Sequence, residues 1–156
     1  MKKIIVFLMC VFAVTSVHAA FNANECTASG GTVITRNVYG ATGAPTTCVR
    51  ENGKDTCPAT TKTFCKSGRT MNWWTAFNWC ASIGGSLASF SAMCPDVPTA
   101  SNNVTGACPG LQGKGDSWVW SSLGYGSNAA VFVDLSSGAV NYYYRYNYGS
   151  YFALCE

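Results

Sequence analysis

Histidine is nearly missing from this chain. The single one, His18, lies in an opening stretch that reads as a removable leader, so the remainder has no imidazole. That excludes a histidine general acid or base and any Ser-His or Cys-His catalytic arrangement. Charge is scarce too: only 11% of residues are Asp, Glu, Lys or Arg, and no basic cluster occurs. A nucleic-acid footprint is therefore absent. No Cys-x2-Cys pair exists, and without histidine the cysteines make a poor zinc site. Beyond the opening stretch no apolar run is long enough to span a bilayer.

The opening reads MKKIIVFLMCVFAVTSVHAA. Lys2 and Lys3 form a basic head, Ile4 to Val14 an apolar middle, and Val17-His18-Ala19 a small-x-small cleavage motif. Residues 1–19 are expected to be a secretory signal peptide cleaved near Ala19. Cys10 sits inside the apolar middle after bulky Met9, which argues against a lipoprotein anchor. The expected location is secreted, periplasmic or cell-surface. Losing Lys2 and Lys3 from the ten basic residues leaves eight against seven acidic ones, formally +1. About 137 residues remain, enough for one domain with a real core.

Of nine cysteines, eight follow Cys10: Cys26, Cys48, Cys57, Cys65, Cys80, Cys94, Cys108 and Cys155. An even count in an exported chain predicts four disulfides. Asn52-Gly53 is a strong two-residue hairpin signal. Counting outward pairs Glu51 with Lys54, Arg50 with Asp55, Val49 with Thr56 and Cys48 with Cys57. The last pair falls at a non-hydrogen-bonded position, within reach of a cross-strand disulfide. A hairpin whose cysteines pair elsewhere is the alternative.

Residues 20–63 read as an N-terminal β arm with this hairpin. From Trp73 the apolar residues Trp73, Ala76, Phe77 and Cys80 recur at helical steps. Thr70 or Asn72 caps this helix, and Gly84-Gly85 ends it. Residues 95–117, rich in Pro, Gly, Ser, Asn and Asp, read as a long loop whose first half Cys94 and Cys108 bracket. From Ser117 onward WVWSS, AAVFVDL, AVNYYYRY and YFALC read as strands, with a turn at Ser136-Ser137-Gly138.

These segments carry a resemblance. MNWWTAFNWCASIGGSLAS (71–89) resembles the first-helix segment of C-type lectin-like domains, WVWSS (118–122) their tryptophan core strand, and FALCE (152–156) their closing strand. The resemblance spans residues 64–156. It implies an α+β, C-type lectin-like fold: a mostly antiparallel sheet, one main helix and long disulfide-stapled loops. It also implies a Cys80–Cys155 bridge. With Cys48–Cys57, elimination then leaves Cys94–Cys108 and Cys26–Cys65, a pairing the sequence itself leaves open. The family's calcium-dependent sugar motifs, Glu-Pro-Asn or Gln-Pro-Asp and then Trp-Asn-Asp, are missing. Asp96, Asn102, Asn103 and Asp116 are too scattered for a calcium cage, which wants six to eight oxygens. No metal or cofactor is expected. Asp96, Asp116, Asp134 and Glu156 show no spacing that pairs two carboxylates, so catalysis is not expected either.

What the sequence has in excess is tyrosine at its end: NYYYRYNYGSY (141–151) holds six of the eight. Strand alternation puts Tyr142, Tyr144, Tyr146 and Tyr148 on one face and Asn141, Tyr143, Arg145 and Asn147 on the other. Tyr, Asn, Ser and Gly are residues of recognition surfaces, and Arg145 is a hot-spot type. Packing alone is the plainer explanation, but so many phenols each need a polar partner if buried. The segment also resembles the variable region of bacterial and phage C-type lectin-like proteins diversified by a retroelement that randomises adenines. An AAC codon altered that way never yields Lys, Glu, Gln, Met or Trp, and none of the five occurs between Ser121 and Cys155. Diversified positions would be Leu123, Tyr125, Ser127, Asn128, Asn141, Tyr142, Tyr144, Tyr146, Asn147, Tyr148, Ser150 and Tyr151. The expected function is a calcium-independent recognition or adhesion protein for a protein or glycan surface ligand. A carbohydrate-binding module whose tyrosines stack on sugars, and a structural or pilus-associated subunit, are the alternatives. Oligomeric state is not readable.

Overall fold

In the computed structural model, residues 21–36, 49–51, 54–56, 62–95, 106–147, 149 and 151–156 are described. Residues 1–19, expected to be a signal peptide, lie outside them, as do Cys48, Cys57, Asn52-Gly53 where a turn is expected, Asp96, Asn102, Asn103, Tyr148 and Ser150.

The chain begins with a helix that the sequence reading did not include, α1 (Ala23–Ala28), capped by the Asn22 side chain on Asn24 N–H. Strand β1 (Thr32–Arg36) follows, then β2 (Val49–Glu51) and β3 (Lys54–Thr56). β2 and β3 pair Val49 with Thr56, Arg50 with Asp55 and Glu51 with Lys54, the register counted from the turn. β4 (Lys62–Thr70) leads into the main helix α2 (Trp73–Ser82). Asn72 caps α2, accepting from Thr75 N–H at 2.8 Å, while Thr70 belongs to the strand before it. Gly84, at φ +78°, lets the chain turn away after the helix. A short α3 (Phe90–Met93) and the two-residue β5 (Gly106–Ala107) come next. The four closing strands are β6 (Trp118–Tyr125), β7 (Ala129–Asp134), β8 (Ala139–Tyr144) and β9 (Tyr151–Cys155).

Seven strands form one sheet in the order β1-β4-β9-β6-β7-β8-β5. Every pairing is antiparallel except β6 with β9. The fold is thus α+β, with a mostly antiparallel sheet and one main helix. β1, from the segment read as a loose arm, pairs with β4 over Thr32–Arg36 and belongs to this sheet.

Alternation along the strands divides the core in two. On one face Trp120, Phe132, Ala130, Tyr151 and Ala153 pack with Met71, Trp73, Ala76 and Cys80 at the α2 side. On the other, Val119, Val131, Val133, Val140 and Leu154 pack with Phe64, Phe90, Met93 and Leu111. Buried polar groups are matched. Trp73 Nε1 donates to Ser121 O at 2.7 Å and Trp120 Nε1 to Met71 O at 3.0 Å, so both indoles fill the core without an orphaned N–H. Ser67 sits where β4 slips register against β9; its hydroxyl accepts from Ala153 N–H at 2.9 Å.

Disulfides Cys26–Cys65, Cys80–Cys155 and Cys94–Cys108 are formed. The first ties α1 to β4, the second α2 to β9, and the third closes the loop that begins after α3. Glu156 forms a second clasp on the closing strand: it pairs with Lys62 and accepts from Ser89 N–H at 2.8 Å. Burial alone would raise its carboxyl, but the bonds from Lys62 and Ser89 outweigh it and hold it below the ordinary 4.5. A depressed carboxyl stabilises the fold above its unfolded value, and the contribution fades as pH falls through the folded one. Glu156→Gln is therefore expected to flatten the loss of stability below about pH 4.5, read from urea unfolding across acidic pH.

Candidate functional site

The tyrosine-rich segment begins as strand and then departs from it. β8 pairs with β7 from Val140 opposite Val133 to Tyr144 opposite Ala129. Tyr142 and Tyr144 take one face, Asn141 and Tyr143 the other, as alternation requires. Past Tyr144 the chain turns, and Asn147 N–H donates to Tyr144 O at 3.1 Å. The expectation that Tyr146 and Asn147 continue those faces is thus corrected. The cause is Arg145, whose main chain is tied to two other elements: its N–H donates to Asn128 O at 2.9 Å, and its carbonyl accepts from Trp73 N–H at 3.0 Å. Its guanidinium lies 4.4 Å over the Trp73 ring, with Nε donating to Ala129 O at 2.7 Å. Arg145 pins the end of β8 to α2.

Two concavities flank β8. One, about 450 Å³, is lined by Tyr125, Ser127, Asn128, Tyr142 and Tyr144 among others. All five were singled out from the sequence, and here they converge. Tyr125 and Tyr142 stack at 3.9 Å between centroids. Burial, then the neighbouring Tyr142, pushes the Tyr125 phenol up.

The other, about 490 Å³, opens on the α2 face of the sheet. Register builds it. Trp118 stands opposite Asp134 on β7 and Tyr151 on β9, and Phe132 stands opposite Asn141 on β8. These side chains share a face with Tyr143, which leans across small Ala130 to stack on Tyr151 at 5.7 Å. Trp118 lies 5.8 Å from Phe132 and 5.7 Å from Tyr151. Tyr151 is the floor, only 3% exposed, and burial with Tyr143 nearby pushes its phenol up to about 12. Asn141 Oδ1 is held by Tyr142 N–H at 2.8 Å and Asn147 Oδ1 by Gly149 N–H at 2.8 Å.

Asp134 closes this concavity at the β7–β8 turn. Oδ1 accepts from Ser136 N–H at 2.8 Å and Ser136 O–H at 2.7 Å, and Oδ2 accepts from Ser137 O–H at 2.9 Å. Burial alone would raise this carboxyl, but the Ser136 and Ser137 bonds outweigh it and hold it below the ordinary 3.8.

The remaining sequence candidates lie elsewhere. Leu123 packs against the second core, and Tyr146 is 68% exposed beyond both concavities. Trp118, Phe132, Asp134 and Tyr143 line the second concavity but were not among the sequence candidates. The resemblance implies that WVWSS is a core strand, yet Trp120 is fully buried while Trp118 is 43% exposed. Among the described residues, no group of three or more His, Cys, Asp or Glu could hold a metal, and no helix is long and apolar enough to cross a membrane. No protein-family description, curated protein or solved structure matches this chain.

Proposed function

We propose that this is an exported recognition protein with a C-type lectin-like fold. It binds a protein or glycan surface ligand without calcium, through the aromatic face around β8. The observation that carries the reading is the exposure of adjacent rings: Tyr142, Tyr143 and Tyr144 are 40, 44 and 59% exposed beside Trp118, while concavities flank them on both faces. Rigid amphipathic rings with amides between them give contact area at low entropic cost. The grouping of Tyr125, Ser127, Asn128, Tyr142 and Tyr144 at one concavity also supports retroelement diversification, since a varied set of residues must share a surface to vary one specificity. The glycan-binding alternative draws on Trp118 with Asn141 and Asn147, a ring beside amides.

The test is a screen of the purified protein on arrayed glycans and arrayed proteins, beside the Tyr142→Ser, Tyr143→Ser, Tyr144→Ser variant. These side chains are exposed, so the variant is expected to keep its fold and lose its hits by tenfold or more, as loss of hot-spot aromatics does. Hits retained by the folded variant contradict the proposal.

A further inference from the structure

The second concavity has a charge character that narrows its ligand. Among the described residues, none of the nine that line it is basic, and Asp134 is the one carboxylate. Three of the roughly four acceptor positions of a carboxylate are already taken at Asp134 by Ser136 and Ser137. It has little left to give a hydroxyl, but its negative charge stays fixed at the wall. The rings of Trp118, Phe132, Tyr143 and Tyr151 line the same space, with neighbouring centroids 5.7 to 5.8 Å apart along the Trp118–Phe132, Trp118–Tyr151 and Tyr143–Tyr151 contacts. Aromatic faces attract cations held within about 6 Å of a centroid, most strongly when the cation is poorly hydrated. A carboxylate beside the rings adds to that attraction, and the lack of a basic lining group disfavours an anion.

We infer that this concavity, bounded by Trp118, Tyr143, Tyr151 and Asp134, binds a methylated ammonium group. The inference rests on the reading of this face as a binding surface. It names the chemistry of one part of it: a ligand carrying a trimethylammonium, as in a choline headgroup or a trimethylated lysine side chain.

The test is calorimetric titration of the full mature protein with tetramethylammonium and with its uncharged isostere 3,3-dimethylbutan-1-ol. Nuclear magnetic resonance of the Trp118 indole N–H reports the place of binding. The expected result is a tetramethylammonium site that shifts the Trp118 signal, with the isostere roughly tenfold weaker or worse. Asp134→Asn removes the charge while its amide oxygen still accepts from Ser136. It is expected to stay folded with a lowered melting temperature, because the Ser136 and Ser137 bonds that favour the carboxylate are weakened, and to bind tetramethylammonium about tenfold more weakly. Trp118→Ala, at an exposed position, is expected to abolish binding. Choline and Nε-trimethyllysine amide, titrated in parallel, distinguish a headgroup from a modified side chain by which binds more tightly. Equal binding of the isostere, no effect of Asp134→Asn, binding of a methyl glycoside in place of the ammonium, or no binding at all overturns the inference. The wider reading is tested apart from it, because the array screen and its tyrosine variant do not depend on a cationic ligand.

Discussion

Replacing Cys80 and Cys155 together by alanine is expected to lower stability by about 4 kcal/mol, the chain-entropy value for a loop of this length. The bridge spans 75 residues and joins α2 to the final strand. β9 is the hinge of the sheet: it runs antiparallel to β4 and parallel to β6. Both disulfide sulfurs sit in the core that also holds Trp120, Ala153 and Tyr151. Loosening β9 therefore loosens the floor of the ring-lined concavity, since Tyr151 opens that strand. Urea unfolding of the double variant measures the loss. Removing Cys94–Cys108, which spans 14 residues, is expected to cost about 3 kcal/mol on the same relation and to leave β9 in place.

Arg145→Ala is expected to cost about 3 kcal/mol, from a charge-assisted bond to a buried-side carbonyl and the cation–π contact on Trp73. Arg145→Lys is expected to recover little, because an ammonium cannot both lie flat on the indole and donate to Ala129 O and Gly126 O. Gly124 supplies an independent check. A Cβ there would run into the Arg145 guanidinium, so Gly124→Ala is expected to destabilise the native chain but to be tolerated once Arg145 is alanine. A double-mutant cycle in thermal unfolding reads that coupling. Additive effects would show that the arginine is not held where the contacts place it.

Arg145 also shows where sequence reading stops. Tyr, Asn and Arg at 141–147 alternate as smoothly as a strand through Asn147, and nothing local marks the end at Tyr144. The strand ends because Trp73 N–H, far back in the chain, takes the Arg145 carbonyl. A long-range contact of that kind leaves no trace in a window of neighbours. The Val49–Glu51 and Lys54–Thr56 register was legible for the opposite reason: only two residues separate the strands, and the Asn-Gly signal there is read locally. The α2 cap was legible because Asn72 satisfies a free N–H within three residues. Helix α1, at six residues, is too short to show a period. Half the candidate site, Tyr125, Ser127, Asn128, Tyr142 and Tyr144, was marked out by the resemblance to a diversified variable region. The other half needed strand order. Trp118, Asp134, Phe132 and Tyr143 meet only because β6, β7 and β8 are neighbours in a known register. Read with parity, WVW itself already assigns Trp118 and Trp120 to one face; which of the two is covered depends on packing by Met71 and Tyr151.

The central claim is that the β8 face is where this protein meets its ligand. Hydroxyl-radical footprinting of the complex with an array-identified ligand tests it most directly. The account predicts protection concentrated at Tyr142, Tyr143 and Tyr144, with Trp118 or Tyr125 according to the concavity used, and no change at exposed Trp74 on α2. Protection at Trp74 with the β8 tyrosines still fully reactive would contradict it.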